Sequence, residues 1–156
     1  MQMDRYDRKI LELLQAQGRL SNQELAEQIG LSPSPCLRRL RHLEDAGVIT
    51  GYHASLDPRM LGLTLTALIH ISMDQHTEER FSEFERQIKA IPQIIECLLI
   101  TGQAADYQLK AVVPDMDAYR ELLLEHIPRI PGVSGVHTSF VLKQIGPSRQ
   151  YPIMLP

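Results

Sequence analysis

The stretch "LSPSPCLRRLRHLEDAG", residues 31–47, sets two prolines directly before a helical pattern. Proline lacks a backbone N–H and is tolerated in the first helical turn, where those N–H groups have no intrahelical partner. The spacing therefore predicts a helix with Ser32 as its N-cap, Pro33 at the first position and Pro35 at the third. One side of this helix should be buried, since apolar residues recur there at helical spacing: Cys36, Leu37, Leu40 and Leu43.

The other side of this helix is basic, and the residues before it suggest a use for that charge. A basic face on an isolated helix is exposed to solvent without a binding role about as often as it binds a ligand. Here "SNQELAEQIG", residues 21–30, predicts a preceding short helix with Ser21 and Glu24 as a capping box and Gly30 as its end. Two short helices joined by a tight turn with glycine form a helix-turn-helix, which presents its second helix to the major groove of DNA.

This motif predicts which side chains contact double-stranded DNA. We expect Arg38 to reach base edges, whereas most of the other polar groups position phosphates, as most protein–DNA hydrogen bonds do. The predicted DNA-binding residues are Ser21, Asn22, Ser32, Ser34, Arg38, Arg39, Arg41 and His42.

The overall charge of −3 argues against a nucleic-acid binder, whose usual footprint is basic. The excess of acid lies in the second part of the chain, because residues 1–60 hold eight basic and eight acidic residues, and residues 61–156 hold eight and eleven. A single copy should bind DNA weakly and gain from pairing with a second copy.

Composition also bounds the class of protein. No stretch approaches the roughly 20 apolar residues of a membrane span, and the N-terminus lacks the apolar run of a signal peptide. We therefore expect a cytoplasmic protein without a membrane partner. Cys36 and Cys97 are predicted to be reduced core residues. No metal site is predicted, because the histidines lack metal-ligand spacing, and four of them are interpreted as structural or solvent-facing: His53, His70, His76 and His126.

The second part of the chain predicts alternating strands and helices. Residues 63–73 alternate strictly between apolar and polar, Thr77 and Asp115 each cap a helix, and further strands are expected over residues 94–102, 106–114 and 133–143. This β-α-β-β-α-β order is the ferredoxin-like arrangement, in which both helices cover one sheet face. The other face carries apolar residues, so a second copy is expected to cover it.

The complete chain is therefore predicted to be an α+β protein. A helix-turn-helix domain spans residues 1–47, including a first helix over residues 4–17. A hinge strand and linker, "VITGYHASLDP" and the residues after it, cover 48–62. A ferredoxin-like domain for effector binding and oligomerisation spans 63–156.

The chain resembles the Lrp/AsnC family of transcription regulators, most specifically in "LSPSPCLRRLRHLE", residues 31–44, and "VPDMDAYRELL", residues 113–123. The resemblance covers essentially the whole chain. It implies a winged helix-turn-helix, dimers that pair through their sheets, further assembly into tetramers or octamers, and a free amino acid bound between dimers.

The resemblance also implies an effector loop between the second and third strands. The family pattern is Gly, two residues, then Asp-Tyr, and here the loop "GQAADY", residues 102–107, is one residue longer. An amino acid needs an acidic acceptor for its ammonium and N–H donors for its carboxylate, and Asp106 in a glycine-opened loop supplies both. The residues carried over as effector contacts are Thr101, Gly102, Gln103, Asp106 and Tyr107, with His137 and Ser139 on the last strand.

Together these features predict a sequence-specific DNA-binding regulator whose oligomeric state or DNA affinity responds to a bound amino acid. The alternative is an architectural DNA-binding protein of the same fold without effector control. An enzyme is disfavoured, because the sequence shows no Ser or Cys nucleophile with a matched His, no glycine-rich phosphate loop and no carboxylate pair at an evident pocket. No cofactor other than the amino-acid effector is expected.

Overall fold

The computed structural model describes residues 3–102, 105–145 and 150–154. The chain divides into two compact units, Met1–Ser55 with Ile145–Pro156, and Leu56–Gln144. This division differs from the expected boundaries, because the end of the chain belongs to the first unit. The Gln15 side chain holds it there, donating to the Tyr151 carbonyl at 3.2 Å and accepting from the Tyr151 N–H at 2.6 Å.

The first unit is built from three helices, α1 (Arg5–Ala16), α2 (Asn22–Ile29) and α3 (Pro33–Asp45). Their apolar stripes meet in one core: Ile10, Leu25, Ala26, Ile29, Cys36 and Leu43. Gly30 ends α2 with a left-handed φ of 73°, which a glycine adopts without steric cost and which turns the chain sharply into α3. The predicted helix-turn-helix, with its Ser21 and Glu24 capping box, is confirmed.

The predicted hinge strand is wrong. Residues 48–57 contain no strand, and a short 3₁₀ turn, Pro58–Leu61, follows them. A strand needs a neighbour to receive its backbone hydrogen bonds. The described sheet consists of four other strands, none of which pairs with this segment.

The second unit contains β1 (Leu65–Met73), α4 (Glu78–Ile88), β2 (Ile94–Leu99), β3 (Tyr107–Val113), α5 (Met116–Glu121) and β4 (Val133–Phe140). The four strands form an antiparallel sheet in the order β2-β3-β1-β4, which confirms the predicted ferredoxin-like arrangement. Thr77 and Asp115 cap α4 and α5 as expected.

The two faces of this sheet differ in burial. Alternate residues of β1, including Ala67, Ile69 and Ile71, are fully buried against the helices with Phe84 and Ile88. The opposite face, here called the open face, is formed by the residues between them and by their cross-strand partners: Leu68, His70, Gln108, Lys110, Glu96, Leu98, His137 and Ser139.

Both cysteines are predicted to be core residues, and this prediction is confirmed for Cys36 and wrong for Cys97. Cys36 is buried in the core of the first unit, but Cys97 is exposed. Cys97 lies opposite the buried Leu109 and so faces the helix side, yet β2 is an edge strand whose residues from Ile95 to Leu99 are all exposed. Across the described ranges, every helix is too short or too polar to cross a membrane.

Candidate DNA-binding surface and effector loop

One face of α3 forms an exposed cleft on the first unit. Its residues recur at helical spacing, so they lie on the side opposite the buried Cys36 and Leu43. The side chains that line the cleft are Ser34, Leu37, Arg38, Arg41, His42 and Asp45. The cleft therefore collects four of the predicted DNA-binding residues on one surface.

The arginines of this cleft are Arg38 and Arg41, and Asp45 supplies its one carboxylate. Both arginines are exposed, and neither forms an ion pair with any described residue, whereas most arginines elsewhere in the chain do. Two uncompensated guanidinium groups on a rigid helix suit phosphate oxygens and the edge of guanine. Ser32, at the N-cap of α3, is also exposed, and its side chain makes no capping hydrogen bond.

Arg39 is oriented differently from its neighbours and holds the first unit together. Its guanidinium lies 2.8 Å from carboxylate oxygens of both Asp4 and Asp7, and 5.3 Å from the centre of the Tyr6 ring. The hydrogen bond to Asp7 is the main reason that the pKa of Arg39 is raised. This arginine joins α3 to the start of α1, so its charge is already compensated within the protein.

Ser21 and Asn22 are also engaged inside the motif. The Ser21 hydroxyl and N–H both donate to Glu24, each at 2.7 Å, and these hydrogen bonds lower the pKa of Glu24. Asn22 donates from its amide nitrogen to the Pro33 carbonyl at 2.9 Å, which ties the start of α2 to the start of α3. Ser21 therefore stabilises the start of α2, and Asn22 fixes the position of α3 relative to α2.

The predicted effector loop lies at one end of the sheet, where β2 returns into β3. Asp106 accepts a hydrogen bond from Ile100 N–H and donates its own N–H to Ile71, both at 2.8 Å. Its carboxylate accepts from Met73 N–H at 2.7 Å through Oδ2, while Oδ1 lies 2.7 Å from His76 Nε2. The structure thus fixes the acidic group of the loop against β1.

Thr101 and Gly102 precede Asp106 in the same loop, and both are exposed. Gly102 has a positive φ of 92°. A side chain is strained in that conformation, so glycine suits this turn. Gln103 lies outside the described residues.

The side chain of Tyr107 points into the core of the second unit and away from solvent. Its side chain is 1% exposed, it packs against Phe81 and Phe84, and its hydroxyl donates to Glu85 at 2.9 Å. Burial, together with that hydrogen bond, raises the pKa of Tyr107. Tyr107 therefore anchors the loop to α4, and its side chain would have to leave the core to contact an effector directly.

His137 and Ser139 lie on the open face, opposite His70 and Leu68 of β1. Because β1 separates β4 from β3, the structure places these two residues away from Asp106 within one chain. His76 is the neighbour of Asp106 that the sequence did not reveal. Thirty positions separate the two residues, and no motif connects them. Within the described ranges, no group of three or more His, Cys, Asp or Glu residues is arranged to hold a metal ion.

Comparison with known proteins agrees with this architecture. Residues 3–50 match the family described as winged helix-turn-helix DNA-binding, and residues 66–151 match the family described as Lrp/AsnC ligand binding domain. The leucine-responsive regulatory proteins of Escherichia coli K12 and Salmonella typhimurium are each 42% identical over 151 residues, covering 97% of this chain and 92% of theirs.

Solved structures agree in fold over nearly the whole chain. A transcriptional regulator of Neisseria meningitidis in complex with L-methionine is 40% identical, with a TM-score of 0.91 and 96% of each chain covered. An AsnC family transcriptional regulator of Agrobacterium tumefaciens is 35% identical, with a TM-score of 0.89 over 96% of this chain and 97% of its own. These relatives are regulatory proteins and not enzymes. The chain belongs to the Lrp/AsnC family of transcription regulators.

Proposed function

We propose that this protein is a sequence-specific regulator that reads double-stranded DNA with the exposed face of α3. The observation that carries the proposal is the pair of uncompensated guanidinium groups, Arg38 and Arg41, in the α3 cleft. Arg38 contacts base edges, and Arg41, His42, Ser32 and Ser34 lie near phosphates. The roles of Ser21, Asn22 and Arg39 are structural, because the Ser21 hydroxyl, the Asn22 amide nitrogen and the Arg39 guanidinium already have partners within the first unit.

One copy carries few unpaired positive charges in the α3 cleft, so strong binding to DNA needs a second copy. Affinity for duplex DNA rises with the number of phosphates neutralised, and two linked modules bind far more tightly than one. The open face offers the pairing surface, since it exposes apolar side chains such as Leu98 among its polar residues. A homodimer with further assembly to tetramers or octamers, acting in the cytoplasm, follows from this proposal.

The proposed effector is a free amino acid bound at the loop that contains Asp106. The carboxylate of Asp106 accepts the α-ammonium, and Thr101, Gly102 and Gln103 supply donors for the α-carboxylate. The relative bound to L-methionine supports this class of effector. Binding then changes the oligomeric state or the DNA affinity, and His137 and Ser139 act through the pairing of copies on the open face.

Two measurements test these assignments separately. A duplex enriched from a random pool by the protein should lose binding when Arg38 and Arg41 are both replaced by alanine, while the elution volume on gel filtration stays unchanged. Retained binding by that variant would rule out the α3 assignment.

The second measurement is a thermal melt with each of the twenty amino acids. A ligand at about a hundred times its dissociation constant stabilises the native state by roughly 2.7 kcal/mol. A shift that disappears in Asp106→Asn supports the effector loop. No shift with any amino acid, together with intact DNA binding, would favour the effector-independent architectural protein.

A further inference from the structure

Two histidines stand directly opposite each other on the open face. β1 and β4 pair antiparallel, and His70 lies opposite His137 in that register. The residues on either side of His70, Ile69 and Ile71, are fully buried in the core. Because side chains alternate along a strand and opposite residues share a face, both imidazoles project from the open face.

Both imidazoles lack a polar partner among the described residues of their own chain. His137 is exposed and His70 is half-buried, and among the described residues neither side chain has a hydrogen bond or an ion pair. The residue opposite His70 on its other side is Gln108 of β3, a neutral side chain. The charged residues Lys110 and Glu96 stand opposite each other in the next row on one side of the pair. On the other side, Asp106 precedes Gln108 by two positions, and its carboxylate is engaged by Met73 N–H and His76. No carboxylate or ammonium is therefore directly opposite either histidine.

The spacing of this pair suits a metal ion that prefers nitrogen ligands. Opposite residues in antiparallel strands have Cβ atoms roughly 4.5–5.5 Å apart, within the reach of two imidazole rings that bind one ion. Imidazole nitrogen is a favoured ligand of zinc, copper and nickel, with Zn–N distances of about 2.0–2.1 Å. We propose that His70 and His137 form a two-histidine site for a divalent transition-metal ion, with zinc as the reference ion.

The location of this site gives it a consequence for self-association. An isologous pair of copies places the same surface of the second copy against this face. An ion held there completes its coordination with water or with groups of the second copy. Any ion that binds the paired form better than the separate chains strengthens pairing by mass action. The proposal concerns the open face alone and does not depend on the effector loop or on DNA.

This site cannot be recognised from the sequence alone. His70 and His137 are 67 positions apart, and neither belongs to a short metal-binding motif. Only the strand register brings them together, whereas the sequence alone leads to the interpretation of His70 as structural or solvent-facing.

Calorimetric titration of the untagged full-length protein with zinc chloride tests the proposal. Wild type should take up one ion per chain if water completes the site, or one per two chains if the second copy does, and both results support it. Loss of an outer-shell partner already weakens metal binding about 10–100-fold, so His70→Gln and His137→Gln should each weaken it at least as much. His126→Gln removes an exposed histidine outside the sheet and should bind like wild type.

Two results would overturn the inference: no zinc uptake by wild type, or wild-type affinity in both His70→Gln and His137→Gln. A spectroscopic readout guards against a variant that fails to fold. Copper(II) bound at one equivalent to wild type should show electron paramagnetic resonance couplings from two imidazole nitrogens. A spectrum with oxygen ligands alone would also overturn it.

Discussion

Arg39 has a structural role on α3, in contrast to Arg38 and Arg41, which we propose to bind DNA. Arg39→Met keeps a stem of similar length and removes the guanidinium that joins α3 to Asp4 and Asp7. The Asp7 side chain is only 10% exposed, so the variant leaves a largely buried carboxylate without its cationic partner. We expect lower stability of the first unit, with little direct effect on DNA contacts.

The magnitude follows from the burial of the two carboxylates. A buried hydrogen bond to a charged group contributes about 1.5–3 kcal/mol. The Asp4 side chain is 48% exposed, and an exposed ion pair contributes about 0–1 kcal/mol. The expected loss is about 2–3 kcal/mol, which for a domain of this size lowers the Tm by roughly 10–20 °C. Hydrogen exchange of α1 amides in the full chain reports this unit directly.

The matched control is Arg41→Met, which removes an exposed and unpaired guanidinium from the same helix. A surface change of this kind should alter stability by less than about 0.5 kcal/mol. It should weaken binding to the selected duplex, measured well below the unfolding transition. Unchanged hydrogen exchange in Arg39→Met, together with DNA binding weakened as much as in Arg41→Met, would refute the structural role of Arg39.

The pH dependence gives a second check on the same cluster. Burial by itself raises the pKa of Asp4, but hydrogen bonds from Asp7 N–H and Arg39 outweigh burial and hold that pKa below its usual value. A lowered folded-state pKa stabilises the protein above the unfolded value, near pH 3.9, and this contribution is lost as the pH falls through the folded value. The difference in stability between wild type and Arg39→Met should therefore be full near neutral pH and shrink below about pH 4.

Three further predictions concern the effector loop and the salt dependence. His76→Ala should strengthen amino-acid binding, since it removes the imidazole that lies 2.7 Å from Asp106 Oδ1 and leaves that oxygen free for the α-ammonium, and calorimetry checks this. Tyr107→Phe should cost about 1 kcal/mol in chemical unfolding through the lost bond to Glu85, with effector affinity unchanged. Arg41→Ala should reduce the slope of log affinity against log salt by about one, whereas Arg39→Met leaves it unchanged.

Local signals in the sequence predicted most of the fold. The prolines after Ser32, the capping box of Ser21 and the strict alternation through β1 each determine an element from its own residues. The strand predicted after Gly47 failed, because alternation indicates a strand without providing its pairing partner. Cys97 failed for a related reason, since the pattern of β2 did not reveal that it would form the edge of the sheet.

The candidate sites were less predictable, because they depend on contacts between distant residues. Helical spacing placed Arg38, Arg39 and Arg41 together as basic residues, but it did not show that Asp4 and Asp7 would compensate one of them. The loop pattern located Asp106, although its partner His76 comes from the turn after β1.

β1 connects the features that a regulator of this kind must couple. Its buried side packs the core through Ile69 and Ile71, and its other side carries His70 on the open face. At its end, the backbone of Ile71 and Met73 holds Asp106 of the effector loop. An amino acid that draws the Asp106 carboxylate away from Met73 would therefore disturb the strand that presents the pairing surface. In the proposed function, this physical continuity gives effector binding a route to self-association, because one strand contributes to both proposed sites.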